Sequence, residues 1–155
     1  MRIGIDARFY SPNFTGIGRY VFELIREILL LDTKNEYVIF LNNPYYENFV
    51  SPRPGVQKML ADSPHYSLKE QWHFNKILNN ARLDLMHFTH FNAPILYRKP
   101  SVVTIHDLTL SFYPGNKMGK FWHRIAYNLA IGSIVRRAKH IIAVSQNTKN
   151  DLVKL

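Results

Sequence analysis

Three short stretches of this 155-residue chain gather residue types able to do chemistry. The first, Ser101-Val102-Val103-Thr104-Ile105-His106-Asp107-Leu108, sets a histidine and an aspartate at the end of an apolar run. An imidazole in that place suits hydrogen bonding to a sugar hydroxyl, or proton transfer near neutral pH. The plainer reading is a histidine satisfied by nearby backbone carbonyls. Neighbouring strand residues point to opposite faces, so His106 and Asp107 form a dyad only if the strand has ended. The second stretch, His87-Phe88-Thr89-His90-Phe91-Asn92, puts two more imidazoles and an amide at another such end. Zinc would need a third protein ligand, and no nearby Cys or His-Glu-x-x-His pattern supplies one. A polar, aromatic ligand pocket is the expectation there. The chain has no cysteine at all, which excludes a thiol nucleophile, a thiolate metal site and a redox motif.

The third stretch is Gly16-Ile17-Gly18-Arg19-Tyr20, at the mouth of a helical pattern. Two glycines there let a phosphate approach backbone N–H groups and the positive helix end. The dinucleotide fingerprint fits badly: its third glycine would fall at Val21, and the approach from Asp6 is too long for a tight first turn. The second apolar run ends in Phe40-Leu41-Asn42, without the acid that would hold a ribose hydroxyl. No lysine follows the glycines as a phosphate-binding P-loop requires. The bland alternative is that Gly16 and Gly18 only shape a turn.

Charge is distributed unevenly. The formal net charge is +9, yet residues 1–97 hold ten Lys/Arg against nine Asp/Glu. Residues 98–155 hold ten Lys/Arg against only Asp107 and Asp151. A local excess of this kind suits an anionic partner: phosphate, acidic lipid or nucleic acid. Lys120, Phe121, Trp122 and Arg124 form its most suggestive part, cations beside large aromatics as on an interfacial helix. A core-packing helix with Phe121, Ile125, Leu129 and Ala130 inward and a solvated cationic face accounts for the same residues. Nucleic acid is the weakest of the three partners, because no recognition module is present and the aromatics are not spaced as stacking platforms.

The elements that must position these residues alternate along the chain. Apolar runs at 2–6, 37–41, 56–60, 85–88, 102–106 and 140–144 read as strands. Helical patterns cover 18–31, with Tyr20, Leu24, Ile28 and Leu31 on one stripe, and 68–80, with Trp72 and Ile77 inward. A third covers 117–138, and Ser145 reads as the N-cap of a last helix. Unbroken Val/Ile/Leu strands alternating with helices predict a Rossmann-like, doubly wound α/β domain with a parallel sheet. Such sheets bind ligands beyond the carboxyl ends of their strands, where all three stretches lie. A hydrophobic content of 46% over one domain's length supports a real core and excludes a disordered tail. The start of the chain lacks an apolar leader, and no run approaches transmembrane length, so the expected location is cytoplasmic.

Taken together, Gly16-Ile17-Gly18-Arg19-Tyr20 after the Gly-Ile-Asp-Ala-Arg strand, Val103-Thr104-Ile105-His106-Asp107-Leu108, and the segment from Ile142 to Leu152 (Ile-Ala-Val-Ser-Gln-Asn-Thr-Lys-Asn-Asp-Leu) resemble the N-terminal half of a glycosyltransferase family 4 enzyme. The resemblance runs from Met1 to Leu155. It implies the acceptor-side half of a GT-B fold, in a retaining, metal-independent enzyme with a nucleotide diphosphate sugar as donor and a glycan or lipid-linked acceptor. By position it assigns Gly16, Ile17 and Gly18 to the donor diphosphate, and His106 to the donor sugar, with Asp107 orienting its loop. His87, His90 and Asn92 match the acceptor side more loosely. Relatives working on lipid-linked acceptors resemble peripheral membrane proteins, so Lys120, Phe121, Trp122 and Arg124 are expected at the inner membrane face. The family's paired glutamates, separated by seven residues, have no counterpart among Glu23, Glu27, Glu36, Glu47 and Glu70. The expectation is therefore a single domain over 1–155, a donor-binding C-terminal domain absent, and no transfer by this piece alone. The competing reading is a non-enzymatic module that docks on anionic membrane or a protein partner. A nicotinamide-dependent oxidoreductase shares the fold but lacks the fingerprint.

Overall fold

The structure, a computed structural model, describes residues 1–12, 15–62, 68–112 and 121–154. Among the described residues six strands form one sheet: β1 (Arg2–Asp6), β2 (Glu36–Leu41), β3 (Val56–Leu60), β4 (Leu85–Phe88), β5 (Ser101–Ile105) and β6 (His140–Ala143). Their order is β3-β2-β1-β4-β5-β6, and every neighbouring pair is parallel. The helices between them are α1 (Gly16–Leu31), α2 (Tyr45–Asn48), α3 (Leu68–Asn80), α4 (Thr109–Phe112), α5 (Phe121–Arg137) and α6 (Gln146–Val153). This is the expected Rossmann-like arrangement. The strand order reverses between β1 and β4, so the crevice at their carboxyl ends is where such a fold places its ligands.

The pleat divides the core in two. Ile5, Tyr37, Ile39 and Leu41 point to one face, where Val21, Ile25 and Leu29 of α1 cover them. Val38, Phe40, Met86, Phe88, Val103 and Ile105 point to the other, under Phe74 and Leu78 of α3 and Ile131 and Ile134 of α5. Alternation of period two along the strands is what sends adjacent residues to different helices.

Element bounds agree closely with the apolar pattern, while helix phases differ. The helix α1 begins at Gly16 rather than at 18, and its buried stripe is Gly18, Val21, Ile25 and Leu29. Tyr20, Leu24 and Ile28 flank that stripe half-buried, and Leu31, the last residue of the helix before its cap at Asp32, is 82% exposed. On α3 the inward side chains are Glu70, Phe74 and Leu78, with Ile77 packed at their margin. Trp72 is 75% exposed, because a residue two before Phe74 lies about 200° round the helix from it. A buried glutamate holds the phase that an apolar residue was expected to set. Along α5 the buried residues are Ile131 and Ile134, whereas Leu129 is 61% exposed and Ile125 and Ala130 are half-buried. The strand β5 ends at Ile105, one residue before His106, β6 ends at Ala143, and α5 ends at Arg137. The proposed start of the long helix, 117–120, lies outside the described residues. Two single-turn helices, α2 and α4, carry no periodic signal at four residues each. Ser145 caps α6 as expected, its Oγ accepting from Thr148 N at 3.1 Å. Among the described residues no helix is long and apolar enough to cross a membrane.

The phase of α1 is directly testable. Ile25→Ala should cost about 2–5 kcal/mol of unfolding free energy, and Leu31→Ala less than about 0.5 kcal/mol. Chemical denaturation midpoints of the two variants check the assignment.

Candidate functional site

Beneath the candidate site lies a buried ion cluster that begins at the last residue of β1. Arg8 loops back over Asp6: its Nε donates to Asp6 Oδ1 and its Nη2 to Oδ2, both at 2.8 Å. Nη1 donates to Glu70 of α3, and Nη2 also donates to the Asn92 carbonyl at 3.0 Å. The guanidinium carbon lies 3.9 Å from the centre of the Phe74 ring. Asn92 in turn donates from Nδ2 to Glu70 Oε1 at 2.8 Å. The side chains of Arg8 and Glu70 are wholly shielded from solvent. Burial alone would lower the pKa of Arg8, but the two carboxylates outweigh it and raise the pKa instead. The cluster ties together β1, α3 and the segment that leaves β4.

That segment carries the first group of histidines. Thr89 Oγ1 donates to the Asp6 carbonyl at 2.6 Å, and Arg8 holds Asn92 three residues on. The loop between them is pinned at both ends. His90 sits within it, buried, its Nδ1 accepting from Asn92 N at 3.3 Å. Its ring lies 5.1 Å from Phe9, 4.2 Å from Phe91 and, stacked, 6.0 Å from the ring of His106.

His106 is the first residue beyond β5, half-buried at the lip of the crevice. Its Nε2 lies 2.9 Å from the Thr89 carbonyl, and a carbonyl only accepts, so Nε2 carries the proton. In the neutral ring Nδ1 is then the acceptor. The edge of Tyr20 meets the ring at 4.9 Å and 86°. The His106 carbonyl accepts from Thr148 of α6 at 3.0 Å. Asp107 faces solvent, and its Oδ1 accepts from Thr109 N at 3.0 Å, which caps the single turn of α4. The strand has ended before both of them, yet the aspartate serves its own loop.

His87 lies one layer deeper. It is buried inside β4, with Nε2 2.9 Å from Thr104 Oγ1, and that hydroxyl is 3.1 Å from the Tyr20 hydroxyl. Burial pushes its pKa down to about 4, against a smaller upward pull from Asp6. The ring is neutral at physiological pH. His90 and His106 therefore share the crevice, while His87 supports it through Thr104 and Tyr20.

The glycines have different surroundings. Thr15 caps α1 with φ 60°, a conformation costly for a β-branched residue, and its Oγ1 accepts from Gly18 N at 3.1 Å. A Cβ on Gly18 would stand 2.8 Å from Ser11 Cβ and 3.0 Å from the Phe9 carbonyl oxygen, so the residue must be glycine for packing. A Cβ on Gly16 would meet nothing within 4 Å. Gly16 is exposed, and the first-turn N–H groups of Gly16 and Ile17 have no acceptor within the helix. The open side of this turn is Gly16 and Ile17, not Gly18.

Of the basic segment, Lys120 lies outside the described residues. Phe121, Trp122 and Arg124 occupy the first turn of α5 as backbone, and their side chains are likewise outside the description. Among the described residues no three of His, Cys, Asp or Glu converge to hold a metal ion. Sequence reasoning missed Asp6, Arg8, Glu70, Tyr20 and Thr89. The available signals were an arginine two residues past a strand-end aspartate, and a lone glutamate on the apolar stripe of α3.

A family model described as Glycosyltransferase Family 4 matches residues 14–155. No curated protein matches the chain.

Removing one member of the ion cluster leaves buried charge without its partner. Arg8→Met should destabilise the fold by about 3–5 kcal/mol, read from urea midpoints. His87 has a depressed pKa, so the unfolded chain binds more protons than the folded one between about pH 6.5 and 4. Stability should fall across that window on acidification, by up to roughly 3 kcal/mol, and His87→Gln should flatten the slope. Denaturation midpoints measured from pH 7 to pH 4 check both the sign and the residue.

Proposed function

The chain belongs to glycosyltransferase family 4, and from that premise we propose that it forms the acceptor-side domain of a retaining enzyme. The enzyme moves a hexose from a nucleotide diphosphate sugar to a hydroxyl of a glycan or lipid-linked acceptor. The bond from the anomeric carbon to the diphosphate breaks, the acceptor oxygen bonds to the same face of the sugar, and the proton of the acceptor hydroxyl leaves on the departing diphosphate. Most of the donor pocket belongs to a second domain, which closes on the carboxyl edge of this sheet.

The observation that carries this reading is the meeting of two features on one edge. The open first turn of α1 and the ring of His106 are joined there by Tyr20, which rises from α1 to pack its edge on that ring. The departing diphosphate gains charge as the sugar bond breaks, and the Gly16 and Ile17 N–H groups with the positive end of α1 suit that charge. Gly18 shapes the turn against Ser11. The Thr89 carbonyl holds the Nε2 proton of His106 and so fixes the ring, which leaves Nδ1 as its acceptor. Its Nδ1 suits a hydrogen bond from a donor-sugar hydroxyl, which orients the anomeric carbon. Asp107 holds the loop that presents this ring. On the acceptor side, His90 and Asn92 act from the pinned loop, with His87 behind them. The chemistry uses no metal.

The test is transfer by the full-length protein. His106→Ala should lower turnover by about a hundredfold or more, in the range of losing one preorganised polar contact to the reacting group, with the unfolding midpoint nearly unchanged. Transfer at the wild-type rate would show that the site is wrongly assigned.

A further inference from the structure

At the opposite edge of the sheet from His106, a groove opens between residues 95–98 and the second half of α5. It offers about 420 Å³ and is lined by Arg98, Arg136 and Arg137, with Asn128, Ser133 and Leu129 along its length. Arg136 and Arg137 lie in the last turn of α5, just before β6, and Arg98 precedes β5 by three residues. Arg137 is the built part. Its Nε donates to the Ser133 carbonyl at 3.0 Å and its Nη1 to the carbonyls of Tyr97 and Ile95, so it clamps the loop to the helix.

Three guanidinium groups line this one groove, Arg98 and Arg136 exposed and Arg137 half-buried, and together they give it a positive potential. Burial, and after it the charge of Arg98, lowers the pKa of Arg137. Among the described residues no carboxylate forms an ion pair with any of the three. The carboxyl end of the helix dipole favours Arg136 and Arg137 where they stand. Apolar side chains border the same groove: Leu129 and Ile95 line it exposed, and Leu96 is exposed beside it. Guanidinium forks on one compact groove suit a phosphoryl group better than carboxylates spread along a peptide.

We propose that this groove binds a phosphate ester whose remainder is apolar. Arg98 and Arg136 grip the phosphoryl oxygens, Arg137 holds the walls and adds its charge, and Leu129 and Ile95 receive the apolar chain. The site is separate from the crevice assigned to the sugar donor.

The experiment uses the full chain, dihexanoyl phosphatidic acid below its micellar concentration, and titration calorimetry. Saturable binding should weaken at least about tenfold in Arg98→Gln/Arg136→Gln, which spares the clamp made by Arg137. The charge-matched pair Lys34→Gln/Lys76→Gln, on exposed residues elsewhere, should change it by less than about twofold. Leu129→Ser should weaken the ester and leave inorganic phosphate unaffected. Equal losses in both double variants would reduce the effect to net charge and overturn the site. Absence of binding would overturn it too, as would tight inorganic phosphate without any gain from the chain. Displacement of the ester by polyglutamate at lower concentration would assign the groove to an acidic peptide instead.

Discussion

Much of the carboxyl edge of this domain hangs on one buried arginine. Taking a guanidinium out of water costs several kcal/mol, and the cost is met only if its donors find charged or carbonyl acceptors. Arg8 finds them in Asp6 beside it, Glu70 on α3 and the Asn92 carbonyl, with the Phe74 ring below. Each acceptor is fixed by a different element, so the arginine sets their relative positions. Buried ion clusters are weak evidence of stability, since apolar residues of equal volume often serve as well. Directionality is what an apolar core lacks. The forked hydrogen bonds hold Asn92, and Asn92 holds the ring of His90 beneath His106.

The same edge shows how a sheet converts pleat into function. Along β4, His87 points to the α1 side and is sealed under Tyr20, while Phe88 points to the α3 side and joins the larger core cluster. Once the strand ends, the alternation lapses: Thr89 bonds back to the Asp6 carbonyl, Asn92 to Glu70, and the ring of His90 lies against that of His106. Two histidines only three residues apart consequently have different chemistry. His87 is neutral through burial, and His90 is placed where its ring can stack on another.

Much of the organisation was legible from residue order. Strand positions followed from apolar runs, because in a parallel sheet a central strand is buried on both faces and reads as unbroken Val, Ile and Leu. Helix phases were less legible. Leu31, Trp72 and Leu129 are apolar and sit at helical spacing, yet each is exposed. Which face of a helix is inward depends on the line along which it crosses the sheet, and that line is not written in local periodicity. On α3 the misleading element was Glu70, a charged residue occupying a core position because Arg8 meets it there. The basic excess was legible as a number and not as a place. Three of its members, Arg98, Arg136 and Arg137, line one groove.

By itself the sequence determined the order of the strands and the longer helices, the parallel class of the sheet, the places of His90 and His106 just past strand ends, and the cap at Ser145. All of these depend on residues adjacent in the chain: periodicity, strand ends and capping act over a few positions. Only the tertiary structure decided which imidazoles share the crevice, which nitrogen of His106 carries its proton, and why Gly18 is packed while Gly16 is open. Arg8 lies 62 residues from Glu70 and 84 from Asn92. No local rule relates positions so far apart. They meet because the strand order reverses between β1 and β4, bringing the end of β1 beside the loop that leaves β4.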